Sequence, residues 1–166
     1  IYLPAGTYVV SSTLNLGAPH VLVGESSFST TLLSSASGAT IVPQGAPGKF
    51  TVKHIAIEGS EANQSLSDTD GIILTTGRAQ HDYLIEDVRL THVKRALVFP
   101  RYSWTGAVRD IYVRSCGTGD SDYAISVFDD ANNILFENIH IQSAASDWQT
   151  RGLFIGKSPG SVTSYP

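Results

Sequence analysis

The segment LIEDVRL at residues 84–90 decides the fold of this chain, because its pattern occurs four times. Each copy has an apolar residue, two polar residues, an apolar residue, any residue and a last apolar residue. The other copies are TVKHIAI at residues 51–57, AVRDIYV at 107–113 and LFENIHI at 135–141. Alternation with a period of two is typical of a β-strand. The repeats therefore predict four equivalent strands.

A second short strand opened by a small residue follows each copy. These strands are GIIL at residues 71–74, ALVF at 96–99, AISV at 124–127 and GLFI at 152–155. The central apolar residues of successive copies, Ile55, Val88, Ile111 and Ile139, are 33, 23 and 28 residues apart. A unit of this length cannot bury its own apolar face and must stack on its neighbours. We therefore predict a parallel β-solenoid of about six rungs.

Up-and-down hairpins are the competing interpretation of the same strands. Tight Asn-Gly or Asp-Gly turns do not join these strands, which favours parallel stacking over hairpins. The first 50 residues fit the solenoid, with strands expected at residues 8–10, 14–16, 21–23 and 32–33. We expect one all-β domain over residues 1–166, with entry coils at 1–49 and four repeat coils with variable loops at 50–166.

The composition excludes several classes of protein. Charged residues make up 16% of the 166 residues, well below the roughly 25% of ordinary soluble domains, and 34 residues are Ser or Thr, so a helical bundle is not expected. A net charge of −4 and a pI near 5.6 argue against nucleic-acid and membrane partners. Cys116 is the single cysteine and cannot form an intramolecular disulfide. Because the chain starts at Ile1, directly in strand-like sequence, we expect a piece of a longer protein.

Two stretches carry a resemblance to known β-helices. Residues 1–33 resemble the entry segment of the pectate-lyase superfamily, which includes bacteriophage tailspike depolymerases, with a turn at Pro4 to Gly6. The later coils resemble glycoside hydrolases of the polygalacturonase type, whose motifs have the forms NTDG, DDCIAI and GHGLSIG. The matching stretches here are DTDG at 68–71, DYAISV at 122–127 and RGLFIG at 151–156, with Tyr123 in place of the second Asp and Arg151 in place of the His.

The resemblance implies a fold, a substrate class and a location. The fold is a right-handed, single-stranded parallel β-helix, and the partner is a polysaccharide or oligosaccharide, either bacterial or plant. The protein is expected outside the cell, secreted or on a virion surface. If the chain is a tailspike, a homotrimer is expected.

The second strands place four side chains at equivalent positions, immediately before the small residue. These are Asp70, Arg95, Tyr123 and Arg151, with a spacing of about 4.8 Å for each step between neighbouring strands. Asp70 and Asp122 would then lie roughly 10 Å apart, near the separation of the two carboxylates in an inverting glycosidase. In that interpretation Arg95 holds an anionic sugar or keeps a carboxylate ionised.

β-Elimination from a uronic acid is an alternative use of the same residues. Arg95 or Arg151 would neutralise the substrate carboxylate, and Tyr123 or a nearby His would transfer a proton. The sequence does not separate elimination from hydrolysis. We expect a substrate groove at this end of the second strands. It holds one further catalytic candidate, Asp68, and further substrate-binding candidates, namely His92, Asp120, Asp147 and Trp148.

Some polar residues have a structural interpretation. Asp at a loop end is often a turn residue that bonds local backbone, which is the alternative to catalysis by Asp70 and Asp122. The acidic and amide residues of the first strands recur at matching places and predict a solvent-facing or turn ladder, formed by Glu86, Asp87, Asp110, Glu137 and Asn138. A non-catalytic glycan-binding or structural β-helix module is therefore the competing function.

We expect no cofactor. The five histidines lack the spacing of zinc ligands. Asp68 and Asp70 with Glu58 or Glu61 are the calcium alternative, although the spacing of an EF-hand is absent.

Overall fold

The computed structural model describes residues 1–17, 19–44, 49–59, 69–74, 81–100, 102–117, 123–129, 131–143 and 151–156. In these ranges the chain forms fourteen β-strands and no helix, and every strand pair is parallel. The prediction of an all-β chain with parallel strands is confirmed, and the hairpin interpretation is wrong. None of the described segments is a helix able to cross a membrane.

The strands fall into two sheets. In chain order they are β1 (Tyr2–Leu3), β2 (Gly6–Val10), β3 (Leu14–Gly17), β4 (His20–Gly24), β5 (Thr30–Ser34), β6 (Gly38–Gln44), β7 (Phe50–Gly59), β8 (Thr69–Ile73), β9 (Tyr83–Thr91), β10 (Leu97–Phe99), β11 (Trp104–Arg114), β12 (Ile125–Phe128), β13 (Asn132–Gln142) and β14 (Leu153–Gly156). The first sheet has the order β1-β4-β7-β9-β11-β13, with β5 also beside β7 and β2 beside β5. The second sheet has the order β14-β12-β10-β8-β6-β3. From β7 onward the chain alternates between the two sheets.

The register of the repeats agrees with the sequence. Ile55 pairs with Val88, Val88 with Ile111 and Ile111 with Ile139. Side chains of both sheets meet in one buried apolar cluster, in which like residues lie above one another. β6 is the strand that the sequence pattern missed, because Gly38 and Pro43 interrupt its alternation, and both residue types are uncommon inside strands.

A bend divides each long strand of the first sheet into an upstream and a downstream half. His54, Asp87, Asp110 and Asn138 occupy it, with φ between +50° and +57°. The pairing of β7, β9, β11 and β13 skips these residues and resumes one residue later. Asp, Asn and His tolerate positive φ better than most residues because their side chains bond the local backbone. The predicted turn ladder is confirmed at Asp87, Asp110 and Asn138.

An aromatic stack fills the core near the start of the long strands. The ring of Tyr83 lies 5.3 Å from that of Phe50 and 5.9 Å from that of Phe99, with nearly parallel planes. The Tyr83 hydroxyl is buried, and no described residue offers it a hydrogen bond. Burial raises the pKa of this phenol far above its ordinary value. The hydroxyl is therefore a desolvated group with no compensating contact.

Replacing this hydroxyl is expected to stabilise the protein. Tyr83→Phe keeps the stacked ring and removes the unpaired group, so the free energy of unfolding should rise by about 1 kcal/mol. Urea denaturation followed by tryptophan fluorescence measures the change. Tyr112→Phe is the matched control, since the Tyr112 hydroxyl donates to Gln142 at the surface over 2.9 Å. A loss of stability in Tyr83→Phe that exceeds that of the control would show that the buried hydroxyl has a partner.

Candidate functional site

The candidate site lies where the strands of the second sheet begin. The pairs Ile72 with Leu97, Leu97 with Ile125 and Ile125 with Leu153 set the register of these strands. The residues two positions before Ile72, Leu97, Ile125 and Leu153 are therefore also equivalent in the register. They are Asp70, Arg95, Tyr123 and Arg151. Backbone hydrogen bonds continue the pairing here, from Gly71 N to Arg95 O over 2.8 Å and from Ala124 N to Arg151 O over 2.7 Å.

Asp70 and Arg95 form a bidentate ion pair across β8 and the residues that lead into β10. Arg95 Nε donates to Asp70 Oδ1 over 2.9 Å, and Arg95 Nη2 donates to Asp70 Oδ2 over 2.6 Å. The Asp70 side chain is 4% exposed, whereas that of Arg95 is 34% exposed. A parallel two-bond contact fixes the orientation of both groups. Asp70 therefore acts as a buried anchor, and Arg95 reaches the surface.

The buried surroundings of Asp70 add further constraints at the start of β8. Thr40 Oγ1 donates to the Asp70 carbonyl over 2.8 Å, and Thr69 Oγ1 donates to the Ala36 carbonyl over 2.9 Å. Both threonines are buried. These bonds satisfy backbone acceptors that water does not reach, and they fix the backbone from which the carboxylate projects.

Tyr123 and Arg151 complete the surface row that Arg95 begins. Both are partly exposed, and the Tyr123 ring lies 5.0 Å from the Phe154 ring. At a strand spacing of about 4.8 Å, Arg95 and Arg151 lie on either side of the tyrosine. The row presents the guanidinium groups of Arg95 and Arg151 and a phenol. Asp70 balances the charge of Arg95, and the N–H and O–H groups of the row are donors suited to anions.

The other predicted site residues divide into two groups. His92 is described: it precedes Arg95 by three residues, has a φ of +54°, and its Nδ1 lies 3.7 Å from Glu58 Oε1. Five of the predicted site residues lie outside the described ranges, namely Asp68, Asp120, Asp122, Asp147 and Trp148.

The calcium alternative loses one of its ligands in the described structure. Both carboxylate oxygens of Asp70 bind Arg95, while Asp68 and Glu61 lie outside the described ranges. Among the described residues no three His, Cys, Asp or Glu side chains come close enough together to hold a metal ion.

Trp104 and Cys116 are part of the framework. Trp104 is the first residue of β11, and its ring packs edge-on against that of Tyr102, at 5.8 Å. Cys116 is fully buried, and burial raises the pKa of its thiol to about 12. A thiol with this pKa is not a nucleophile near neutral pH.

A second polar cluster, formed by Ser27, His54 and Asp87, was missed by the sequence analysis. Ser27 Oγ donates to Asp87 Oδ1 over 2.6 Å, and His54 Nδ1 lies 2.9 Å from Asp87 Oδ2. The register of the repeats aligns His54 with Asp87, but Ser27 is 60 residues away from Asp87, in a turn that no pattern connects to it. Because the serine binds the carboxylate and not the imidazole, this is not the relay of a serine hydrolase. It fastens the turn between β4 and β5 to β9.

This cluster makes stability depend on pH. Burial tends to raise the pKa of Asp87, but hydrogen bonds from Ser27 and His54 outweigh it and hold the pKa below its usual value. A lowered folded-state pKa contributes stability above the unfolded-state pKa of about 3.9. That contribution disappears as the pH falls through the lower folded-state value.

We therefore expect the stability advantage of the wild type over Asp87→Asn to be full near pH 6 and to shrink steadily below about pH 4. Asparagine accepts the positive φ of this bend, so the variant keeps the backbone. Thermal melts between about pH 3 and pH 7 measure the difference. Ser27→Ala should show an intermediate dependence, and an advantage that grows with acidification would contradict the assignment.

Comparison with protein-family models, curated proteins and solved structures found no match.

Proposed function

We propose that the two sheets are faces of a right-handed parallel β-helix of about six rungs. The support is the alternation of the chain between the sheets and the parallel pairing of each strand with the equivalent strand of the next repeat. β4 and β5 lie beside the two halves of β7, so the earlier strands fit the same rung as the later, longer ones. Right-handed crossovers are strongly preferred between parallel strands, which favours this hand.

We further propose that this β-helix acts on an acidic polysaccharide outside the cell, as a secreted or virion protein. The observation that carries this proposal is the row Arg95, Tyr123 and Arg151, with Arg95 held in place by buried Asp70. Guanidinium groups bind carboxylates with two parallel hydrogen bonds, so uronic acids suit this row better than neutral sugars.

Elimination is better supported than hydrolysis by two carboxylates. Asp70 is buried and each of its oxygens accepts a bond from Arg95, so its carboxylate gives a substrate little access. In elimination, an arginine neutralises the uronate carboxylate and thereby acidifies the proton on the adjacent carbon. A base, Tyr123 or a nearby His, takes that proton. The electron pair forms a carbon–carbon double bond, and the bond to the leaving glycosidic oxygen breaks as that oxygen takes a proton from the protonated base or from water.

A non-catalytic glycan-binding or structural module is the second candidate. The observation that favours it is again the Asp70–Arg95 pair, because a fully bonded, buried carboxylate is typical of a framework residue. In this case the row binds glycan and no bond is broken.

Incubation with polyuronates and with neutral glucans separates the candidates. Elimination yields unsaturated ends that absorb ultraviolet light, whereas hydrolysis yields reducing ends that do not. We expect absorbing products from polyuronates, and a rate about 100-fold lower in Arg151→Gln and in Tyr123→Phe. Lys53→Gln is the control, since Lys53 pairs with Glu86 on the first sheet, away from the row.

Three results decide against elimination. Non-absorbing ends favour hydrolysis, and polyuronate binding without any cleavage favours the non-catalytic module. Absence of both binding and cleavage for every glycan overturns the polysaccharide proposal itself.

A further inference from the structure

The outer surface of the first sheet differs on the two sides of the bend. On the upstream half, one outward column consists of Lys53, Glu86, Arg109 and Glu137, which alternate in sign along the register. Lys53 Nζ lies 2.8 Å from Glu86 Oε1, and Arg109 Nε lies 3.3 Å from Glu137 Oε2. The charges of this column therefore neutralise one another.

On β9, β11 and β13 the downstream half carries cations without carboxylates. We define the downstream face as the six outward residues of β9, β11 and β13 that follow the bend: Arg89, Thr91, Tyr112, Arg114, His140 and Gln142. None is acidic, although the whole chain has a net charge of −4. Within the described ranges neither Arg89 nor Arg114 forms an ion pair.

The carboxylates nearest to this face lie on β7 and at the bend. Glu58 of β7 is in the column of Thr91 and Arg114, and its Oε1 lies 3.7 Å from His92 Nδ1. At the bend, Asp87 binds Ser27 and His54, and Asp110 accepts a bond from Asn138 over 2.6 Å. The positive charge of Arg89 and Arg114 therefore faces solvent without a balancing group on the face itself.

A stack of planar groups runs along the downstream face. The Arg89 guanidinium carbon lies 4.4 Å from the centroid of the Phe28 ring on one side and 4.8 Å from that of Tyr112 on the other. The Tyr112 ring in turn stacks on His140 at 5.1 Å and 18°. This packing holds the arginine in one orientation, so little side-chain entropy is lost when it binds an anion. Phe28 at the end of the stack is 82% exposed, so most of its ring surface is open to solvent.

We propose that the downstream face binds an anionic polysaccharide, with Arg89 and Arg114 on its carboxylates or sulfates and the open side of Phe28 against a sugar ring. Charge complementarity identifies the partner as an anion. Nucleic acid fits less well, because Arg89 and His140 cover the Tyr112 ring and leave Phe28 as a single open ring of this stack, whereas single strands stack successive bases on several rings. The proposal rests on the proposed function only in taking the partner to be a polysaccharide.

Binding of a polyuronate oligomer and of a neutral glucan oligomer, measured by isothermal titration calorimetry, tests the proposal. We expect polyuronate binding that is about tenfold weaker in Arg89→Gln and in Arg114→Gln, and restored to within a few-fold of wild type in Arg114→Lys. Lys53→Gln removes the same charge from the neutralised column and should change the affinity by less than about twofold. Circular dichroism of each variant confirms that it is folded.

Two kinds of result overturn the proposal. One is an equal loss of affinity in Lys53→Gln and Arg114→Gln, which would indicate net charge alone. The other is equal binding of neutral glucan, or tighter binding of a single-stranded DNA of the same charge. The cleavage proposal can fail separately. Polyuronate binding through Arg89 and Arg114 without any released product would support the downstream face as a binding site and overturn the elimination proposal. Cleavage of polyuronate, with unchanged affinity in Arg89→Gln and Arg114→Gln, would support the elimination proposal and overturn the binding role of the downstream face.

Discussion

Gly71→Ala is expected to destabilise the protein by about 3 kcal/mol, because the added methyl group overpacks the core. A Cβ atom at Gly71 would overlap the Ala96 carbonyl oxygen of the neighbouring strand and the Leu90 side chain in the core. The Ala96 carbonyl accepts a ladder bond from Ile72 N, so it cannot move without loss of that bond. Chemical denaturation with a single transition gives the change in unfolding free energy.

Gly152→Ala is the matched control for this prediction. Gly71, Ala96, Ala124 and Gly152 are equivalent in the register of the second sheet, yet a Cβ at Gly152 meets no atom within 4 Å. Gly152 is not one of the described glycines that have a positive φ. The control should therefore be neutral or slightly stabilising, because alanine restricts the unfolded chain more than glycine does. Equal effects of the two substitutions would show that the close approach at Gly71 is not real.

Arg95→Met is expected to cost about 3 kcal/mol, because it leaves the buried Asp70 carboxylate without its partner. The effect should be asymmetric within the pair. Asp70→Asn leaves Arg95, whose side chain is one-third exposed and can be solvated, so the loss should be only about 1 kcal/mol. Thermal and urea unfolding of both variants at neutral pH measure the difference.

A double variant tests the same ion pair. The double variant Asp70→Leu with Arg95→Met replaces the pair by apolar groups and should recover most of the lost stability. If Asp70→Asn is the more costly single change, the burial assigned to Asp70 is wrong. If Arg95→Met folds with wild-type stability but loses polyuronate binding, Arg95 serves the ligand and not the framework.

The local sequence pattern was sufficient to predict the repeats and their register. The alternation at residues 84–90 and its copies placed Ile55, Val88, Ile111 and Ile139 on one buried line, which the strand pairing reproduces. A period of two commits each residue to one face of a sheet, so a repeated pattern specifies both strands and stacking. The same alignment brought Asp70 and Arg95 to neighbouring strands.

The role of Asp70 could not be read from its position in the chain. The sequence places it before a small residue at a strand start, where a catalytic acid and a framework carboxylate look alike. Burial and the two bonds from Arg95 distinguish these roles, and both depend on how closely β8 and β10 approach. The burial of Asp70 therefore argues against Asp70 as one of the two catalytic carboxylates that hydrolysis with Asp122 would need.

The sequence by itself determined the repeated strands, their parallel order and their register, because these follow from a period that each segment carries within itself. Only the tertiary structure decided which polar groups meet. Ser27 reaches Asp87 across 60 residues, and Phe28 covers Arg89, because the turn between β4 and β5 packs beside the bend of β9. Such contacts arise from the path of a loop in space, and a loop has no period from which its partner can be inferred.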